Sequence, residues 1–222
     1  MSGPHRTKLA VFDCDGTLVD GQAPVCSAME EAFTEVGRTA PPRSAIRRIV
    51  GLSLPQAVRT LDPEVTPDEQ AAIVDAYRRA FHRARAGGLV VEPLFEGIED
   101  LLRKLHADGW SLGVATGKSD RGLGNCLATH GVSDLFVTLQ TADRHPSKPH
   151  PSMLEAAMAE AGATPSDTVM IGDTAYDIAM AQAVGVRSIG VAWGYHDADE
   201  LFAAGADAVA ESAAELGELL DA

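Results

Sequence analysis

The sequence predicts an α/β fold, a doubly wound parallel sheet interrupted early by an all-helical segment. Three observations carry that reading: short apolar runs that each end on a polar residue, amphipathic helical patterns between them, and one long stretch with helical patterns alone. The runs are Leu9-Ala10-Val11-Phe12 before Asp13, Leu112-Gly113-Val114-Ala115 before Thr116, and Val169-Met170-Ile171-Gly172 before Asp173. Continuous apolar segments of this length are what parallel strands covered on both faces require. Between them Ile98, Leu101, Leu102 and Leu105 repeat at i, i+3, i+4, i+7 and stop at Asp108-Gly109. Met153, Leu154, Ala157, Met158 and Ala161 repeat likewise, with Pro151 placed for the first turn and Gly162 as the stop. Strand then helix, repeated, builds a parallel sheet, and the Ala-rich tail from Ala203 reads as a strand plus a closing helix.

The stretch from about Asp20 to Gly88 breaks this rhythm. Val25, Met29, Ala32, Phe33 and Val36 share one helix face that Gly37 closes. Thr66-Pro67-Asp68-Glu69 is a capping box with proline at the first helical position, leading into Ile73, Val74, Tyr77 and Phe81. The expectation is a helical cap over 20–89, inserted into a core formed by 1–19 and 90–222. Its hinges are expected at Asp20-Gly21 and Gly87-Gly88, where glycine permits sharp backbone turns.

Composition narrows the function classes. The 222 residues hold 18 Lys and Arg against 32 Asp and Glu, a formal charge of −14, which argues against nucleic-acid and anionic-membrane partners. A small anion remains bindable where a metal and a lysine neutralise it locally. Cys14, Cys26 and Cys126 form no CxxC pair and leave one over, so neither a disulfide framework nor a zinc site is expected. The longest early apolar run, Leu9 to Phe12, is too short for a signal or spanning segment, and a cytoplasmic location is the expectation.

In an open parallel sheet ligands gather beyond the carboxyl ends of the strands, where Asp13, Thr116 and Asp173 converge. Asp13 and Asp15, two apart at a strand end, project to one side while Cys14 faces the core. Asp13, ionised at neutral pH, is suited to attack an electrophilic phosphorus, with Asp15 as acid and base. Crowded carboxylates need a cation, and Asp13, Asp173 and Asp177 offer the hard oxygens that Mg2+ prefers. Lys148, in Pro146-Ser147-Lys148-Pro149-His150, is a point charge for the nucleophile and the phosphoryl group. Thr116 and the Gly117 amide are expected to donate hydrogen bonds to phosphoryl oxygens.

Asp13-Cys14-Asp15-Gly16-Thr17-Leu18-Val19-Asp20, Thr116-Gly117, Lys148-Pro149 and Gly172-Asp173-Thr174 with Asp177 resemble, in order, the four motifs of the haloacid-dehalogenase-like superfamily. The resemblance spans nearly the whole chain. It implies a Rossmann-like core with a helical cap, and a subgroup that includes phosphoglycolate phosphatases, sugar-phosphate phosphatases, pyrophosphatases and β-phosphoglucomutases. By motif it implies Asp13 as the nucleophile that forms an aspartyl-phosphate and Asp15 as the general acid and base. It further implies Asp13, the Asp15 backbone carbonyl and Asp173 as Mg2+ ligands, Asp177 as a supporting carboxylate, and Thr116, Gly117 and Lys148 on the phosphate. The second aspartate, Asp15, favours phosphate chemistry over carbon–halogen cleavage. Gly21 departs from the pattern, since many relatives carry Ser there. The function expected is hydrolysis of a small phosphorylated metabolite, with 2-phosphoglycolate as the single best substrate. Phosphomutase, pyrophosphatase and a non-catalytic binding module are the alternatives.

Bland readings stand beside these. Asp177 could serve only as a helix N-terminal charge, Lys148 as a solvated loop lysine, and Thr116 as a strand end. Arg78, Arg79, His82, Arg83 and Arg85, with Arg47 and Arg48, read first as solvated faces. His145 and His150 show no metal spacing and read as loop surface. Gly113 to Ser119 mimics a nucleotide P-loop, but only three residues separate Gly113 from Gly117 where that loop needs four.

Overall fold

Strand β1 (Leu9–Phe12) shows why the sheet is covered on both faces. Its side chains alternate, so Ala10 and Phe12 enter one apolar cluster while Leu9 and Val11 enter another. All four are fully buried. A side chain such as Phe12 contributes about 1.5–3 kcal/mol by leaving water.

The structure, a computed structural model, describes residues 7–221. After β1 come α1 (Gln22–Glu35), α2 (Arg43–Arg48), α3 (Leu54–Leu61) and α4 (Pro67–Ala86). Then follow α5 (Ile98–Ala107), β2 (Ser111–Thr116), α6 (Asp120–Thr129), β3 (Phe136–Thr141) and α7 (Ser152–Ala161). The chain continues with β4 (Thr168–Gly172), α8 (Ala175–Ala183), β5 (Arg187–Val191), α9 (Ala198–Ala203), β6 (Ala208–Ala210) and α10 (Ala213–Asp221). The six strands are parallel in the order β3-β2-β1-β4-β5-β6. The doubly wound α/β class expected from sequence is therefore the observed one. Among the described residues no helix is long and apolar enough to cross a membrane.

The sequence reading misses two strands, β3 and β5, for physical reasons. Phe-Val-Thr-Leu-Gln-Thr lies at the sheet edge and alternates polar with apolar, while Arg-Ser-Ile-Gly-Val is short and broken by serine and glycine. The α5 stripe Ile98, Leu101, Leu102 and Leu105 packs under one face with Cys126 and Leu216. Met153, Leu154, Ala157 and Met158 of α7 pack on the other. Pro151 is the N-cap of α7, one position ahead of the first turn in which the sequence reading puts it.

The helical insertion between β1 and β2 has its own apolar cluster. Met29, Ala32 and Phe33 of α1 meet Ile73, Val74 and Ala76 of α4 there, with Val25 and Val36 at its margin. The short helices α2 and α3 add Ile46 and Val58, and no period in the sequence announces either. The capping box at α4 is complete. Glu69 N–H donates to Thr66 Oγ1 at 3.3 Å, and Thr66 N–H donates back to Glu69 Oε2 at 2.9 Å.

Candidate active site

The strand order makes β2, β1 and β4 neighbours, so the residues at and just beyond their carboxyl ends share one place. Phe12 is in register with Val114 and Ile171, which brings Asp13, Thr116 and Asp173 to the same edge of the sheet. Asp177 joins them from the first turn of α8, where its Oδ2 accepts from the Thr174 N–H at 3.2 Å and the Thr174 hydroxyl at 2.7 Å. The helix-N-terminal and the cluster readings of Asp177 are thus geometrically compatible.

Lys148 binds this group together. Its Nζ lies 2.9 Å from Asp13 Oδ1 and 2.6 Å from Asp177 Oδ1, and all three side chains are wholly buried. It is not the solvated loop lysine of the bland reading. Burial acts to discharge Lys148, but Asp13 and Asp177 outweigh it and hold the ammonium above its usual range. Burial pushes the Asp13 carboxyl up to about 7 against the pull of Lys148, with Asp177 adding to the rise. Asp173 is raised by burial and then by Asp13 and Asp177; its oxygens are oriented by the Thr17 hydroxyl at 2.9 Å and the Tyr195 N–H at 3.0 Å. Asp13 Oδ1 also accepts from the Cys14 N–H at 2.6 Å, whereas Oδ2 is buried without a hydrogen-bond partner.

The residues present fit a divalent cation. Oxygens of Asp13, Asp173 and Asp177 lie within 4.8 Å of one another. When all three are ionised, the single charge of Lys148 leaves two negative charges uncompensated. The orphaned Asp13 Oδ2 is a free hard ligand in that group.

The Asp15 carboxylate belongs to a second, adjoining cluster. Its Oδ1 lies 2.9 Å from Lys118 Nζ, which lies 2.6 Å from Glu92 Oε1, and Glu92 pairs with Arg85 at 2.9 Å. Burial raises Asp15 against the pull of Lys118. Burial also acts to raise Glu92, but Lys118 and Arg85 hold it below its ordinary range. The departure at Gly21 has a steric counterpart, because a Cβ there would come within 2.5 Å of Asp15 Oδ1. Sequence reasoning missed Lys118 and Glu92. Lys118 went out with the P-loop mimic although it directly follows Thr116-Gly117, and Glu92 is a lone acid after Leu89-Val90-Val91.

Thr116 is buried, and its Oγ1 accepts from the Lys118 N–H at 3.3 Å, so its own proton remains to be donated. Gly117 is where the helical insertion meets the core. A Cβ on it would sit 2.4 Å from the Leu52 carbonyl oxygen, a contact only glycine allows. The insertion is fastened nearby by Ser53 N–H on Ser147 Oγ at 2.8 Å, by Arg48 on Glu200 at 2.5 Å, and by His196 Nε2 with the Arg48 carbonyl at 3.0 Å. Arg48, Arg79 and Arg83 are engaged by Glu200, Glu35 and Glu31. His145 bridges Ser152 and Gln140 at 2.8 Å each, and His150 is exposed. Cys14 is buried in the core, its Sγ 4.0 Å from that of Cys126.

Comparison with known proteins agrees with this geometry. The sequence pattern of the family described as "Haloacid dehalogenase-like hydrolase" matches residues 10–191. A Dickeya dadantii protein named "Probable phosphatase IndB" is 36% identical over 214 residues, covering 94% of this chain and 91% of the relative. A phosphoglycolate phosphatase of Vibrio vulnificus is 28% identical, covering 96% and 95%. The crystal structure of a "predicted phosphatase from Clostridium acetobutylicum" superposes with a TM-score of 0.87 at 25% identity, covering 98% of this chain and all of that one. With the motifs, the strand order and the carboxylate–lysine cluster in agreement, the chain belongs to the haloacid-dehalogenase-like hydrolases.

Proposed function

We propose that the chain is a Mg2+-dependent phosphatase that hydrolyses a small phosphorylated metabolite through a phosphorylated Asp13. The observation that carries this reading is the buried group of Asp13, Asp173 and Asp177 around Lys148 at the strand ends, beside an Asp15 held by Lys118. Phosphoryl transfer needs positioning and charge stabilisation more than covalent assistance, and both are built here from fixed side chains.

A carboxylate oxygen of Asp13 attacks phosphorus, and the bond from phosphorus to the leaving oxygen breaks. Protonated Asp15 gives its proton to the departing alcohol; its burial favours the protonated form that this step requires. Asp15, now a carboxylate, takes a proton from the water that attacks phosphorus, and inorganic phosphate leaves Asp13 restored. Lys148 holds Asp13 Oδ1 in place and offers charge to the phosphoryl oxygens, to which Thr116 Oγ1–H and the Gly117 N–H also donate. Asp13, the Asp15 backbone carbonyl and Asp173 would hold Mg2+, with Asp177 in support. When bound, the ion offsets the excess negative charge of the cluster and of the phosphoryl group. In this reading 20–89 is a cap over a core of 1–19 and 90–222, a division that the insertion's own apolar cluster supports, with the Ser53–Ser147, Arg48–Glu200 and Gly117–Leu52 contacts joining the two.

Phosphate release from a panel of phosphomonoesters with Mg2+ tests the reading, with 2-phosphoglycolate as reference compound and pyrophosphate and a hexose 1-phosphate as further arms. Release is expected from a monoester, with loss on chelation and a fall of about 10⁴-fold or more in Asp13→Asn, whose fold persists. Undiminished release from Asp13→Asn, or conversion of hexose 1-phosphate to its 6-phosphate without release, would overturn it.

A further inference from the structure

We infer that Cys14 and Cys126 form a reversible disulfide when the protein meets a small oxidant, and that the bond disables the site by displacing Asp13 and Asp15. The bond itself is independent of the phosphatase reading; its consequence for turnover rests on that reading.

Cys14 stands between the two site carboxylates Asp13 and Asp15, yet its side chain enters the core cluster, where Cys126 of α6 meets it. The two sulfurs touch at 4.0 Å across 112 positions of chain. Cys26, the remaining cysteine, belongs to the separate cluster of the insertion, so the pairing has one solution. A disulfide holds its sulfurs at about 2 Å, so an approach of about 2 Å converts this contact into a bond. Cys126 lies within a helix and Cys14 in a turn, so the turn gives more of that approach. Cys14 cannot shift alone. Its N–H donates to Asp13 Oδ1 at 2.6 Å, and its carbonyl accepts from Leu18 N–H at 2.9 Å and Val19 N–H at 3.0 Å, closing the turn that carries Asp15. A misplacement of about 1 Å at reacting groups costs about 10²-fold in rate.

Burial selects the oxidant. Cys14 and Cys126 are 0% and 2% exposed, which bars a bulky disulfide and leaves a molecule of the size of hydrogen peroxide. A cavity of about 610 Å³, lined in part by Asp15, Tyr77, Lys118, Gly122 and Asn125, reaches the neighbours of both cysteines. Asp15 follows Cys14, Asn125 precedes Cys126, and Gly122 lies one helical turn before it. Hydrogen bonding with Cys14 holds the Cys126 thiol below its ordinary range against the opposing effect of burial. Cys126 Sγ attacks one peroxide oxygen; an S–O bond forms, the O–O bond breaks, and hydroxide leaves with the thiol proton as water. Cys14 Sγ then attacks the Cys126 sulfur; the S–S bond forms, the S–O bond breaks, and the Cys14 proton leaves in a second water. Two thiols lose two electrons, and one peroxide becomes two waters.

The test treats the full chain with hydrogen peroxide, blocks the remaining thiols, and reads the Cys14–Cys126 link by peptide mass under non-reducing conditions beside phosphate release. We expect the link to form and release to fall by about 10²-fold in step with it, both restored by dithiothreitol. That recovery separates the bond from methionine sulfoxide and the higher sulfur acids, which dithiothreitol does not reverse. Cys126→Ser should release phosphate as wild type does before treatment and keep doing so after it. Cys126→Ala guards against an effect of the new hydroxyl in the core, and Cys26→Ser should behave as wild type throughout. Absence of the link, a link without loss of release, or equal loss in both Cys126 variants would overturn the inference and leave the phosphatase reading standing. Release from no monoester before treatment would overturn that reading, and the bond would then stand or fall on the mass of the linked peptide alone.

Discussion

Two helix starts in this chain use the same chemistry at opposite depths. Thr66 and Glu69 open α4 in the helical insertion; Thr174 and Asp177 open α8 beside the sheet. In each the carboxylate accepts from the N–H and hydroxyl of the capping threonine, at 2.9 and 2.8 Å in one and 3.2 and 2.7 Å in the other. Each carboxylate also meets one cation, Arg38 at 2.8 Å from Glu69 and Lys148 at 2.6 Å from Asp177. Burial separates them. The Glu69 side chain is 36% exposed and Asp177 is fully buried. Water screens the first pair, so hydrogen bonding from Arg38 and Thr66 holds Glu69 down to about 2 and the consequence stays local to one helix end. Nothing screens the second, and Lys148 transmits the charge of Asp177 to Asp13. The same local motif supports a helix in one place and the proposed reactive centre in the other.

The largest test removes the two cations. Lys148→Met leaves Asp13 and Asp177 buried without their partner, and breaking such a pair costs about 3–5 kcal/mol, read as a fall in urea midpoint. Phosphate release should fall by about 10³-fold or more, since charge on the nucleophile and phosphoryl group goes with it. Arg38→Met should leave release at the wild-type level and move the midpoint far less. Equal shifts in both variants would erase the contrast.

A milder pair of changes keeps shape and removes only charge. Asp177→Asn retains a carbonyl acceptor for the Thr174 cap, so α8 should stay formed, while kcat at saturating Mg2+ falls by about 10–100-fold, as supporting residues around a metal typically show. Glu69→Gln should hold its kcat within assay error of wild type. Steady-state kinetics with circular dichroism on each variant separates the two cases. A helical loss in Asp177→Asn equal to its kinetic loss would reduce Asp177 to a cap.

Which threonine–acid pair lies buried at the sheet was partly legible in the sequence. Asp173 and Asp177 follow an apolar run fit for a buried strand, whereas Thr66 follows a polar stretch, and that difference alone places one pair at the sheet and the other at a surface. The same logic singled out Asp13 and Lys148, which the structure brings within 2.9 Å of each other, because strand ends and short loops are local properties. Lys118 and Glu92 were not visible, since their meaning lies in a contact across 26 positions that no local period encodes. Strand β3 escaped for a related reason, its sheet-edge position leaving its sequence free to alternate. The cavity beside Asp15 was hidden too. Tyr77 and Phe81 read as core positions of a helix, and only the packing of α4 shows that they line a cavity.

The smallest effect is the sharpest check on the exposed member of the pair. Thr66→Ala removes the acceptor for the Glu69 N–H and one of the donors that keep Glu69 ionised, and a lost cap of this kind costs about 1 kcal/mol. Because Glu69 is depressed in the fold from its ordinary 4.5 to about 2, the stabilisation it takes part in is present above 4.5 and lost as pH falls towards 2. Thermal melts should therefore separate Thr66→Ala from wild type fully at pH 7 and progressively less as pH drops below 4.5. Phosphate release at pH 7 and 25 °C should not change, because α4 remains held to α1 by Ile73, Val74 and Phe33. A kinetic loss from Thr66→Ala as large as that from Asp177→Asn would mean that the start of α4 is coupled to Asp15 through Tyr77, and depth would no longer divide the two motifs.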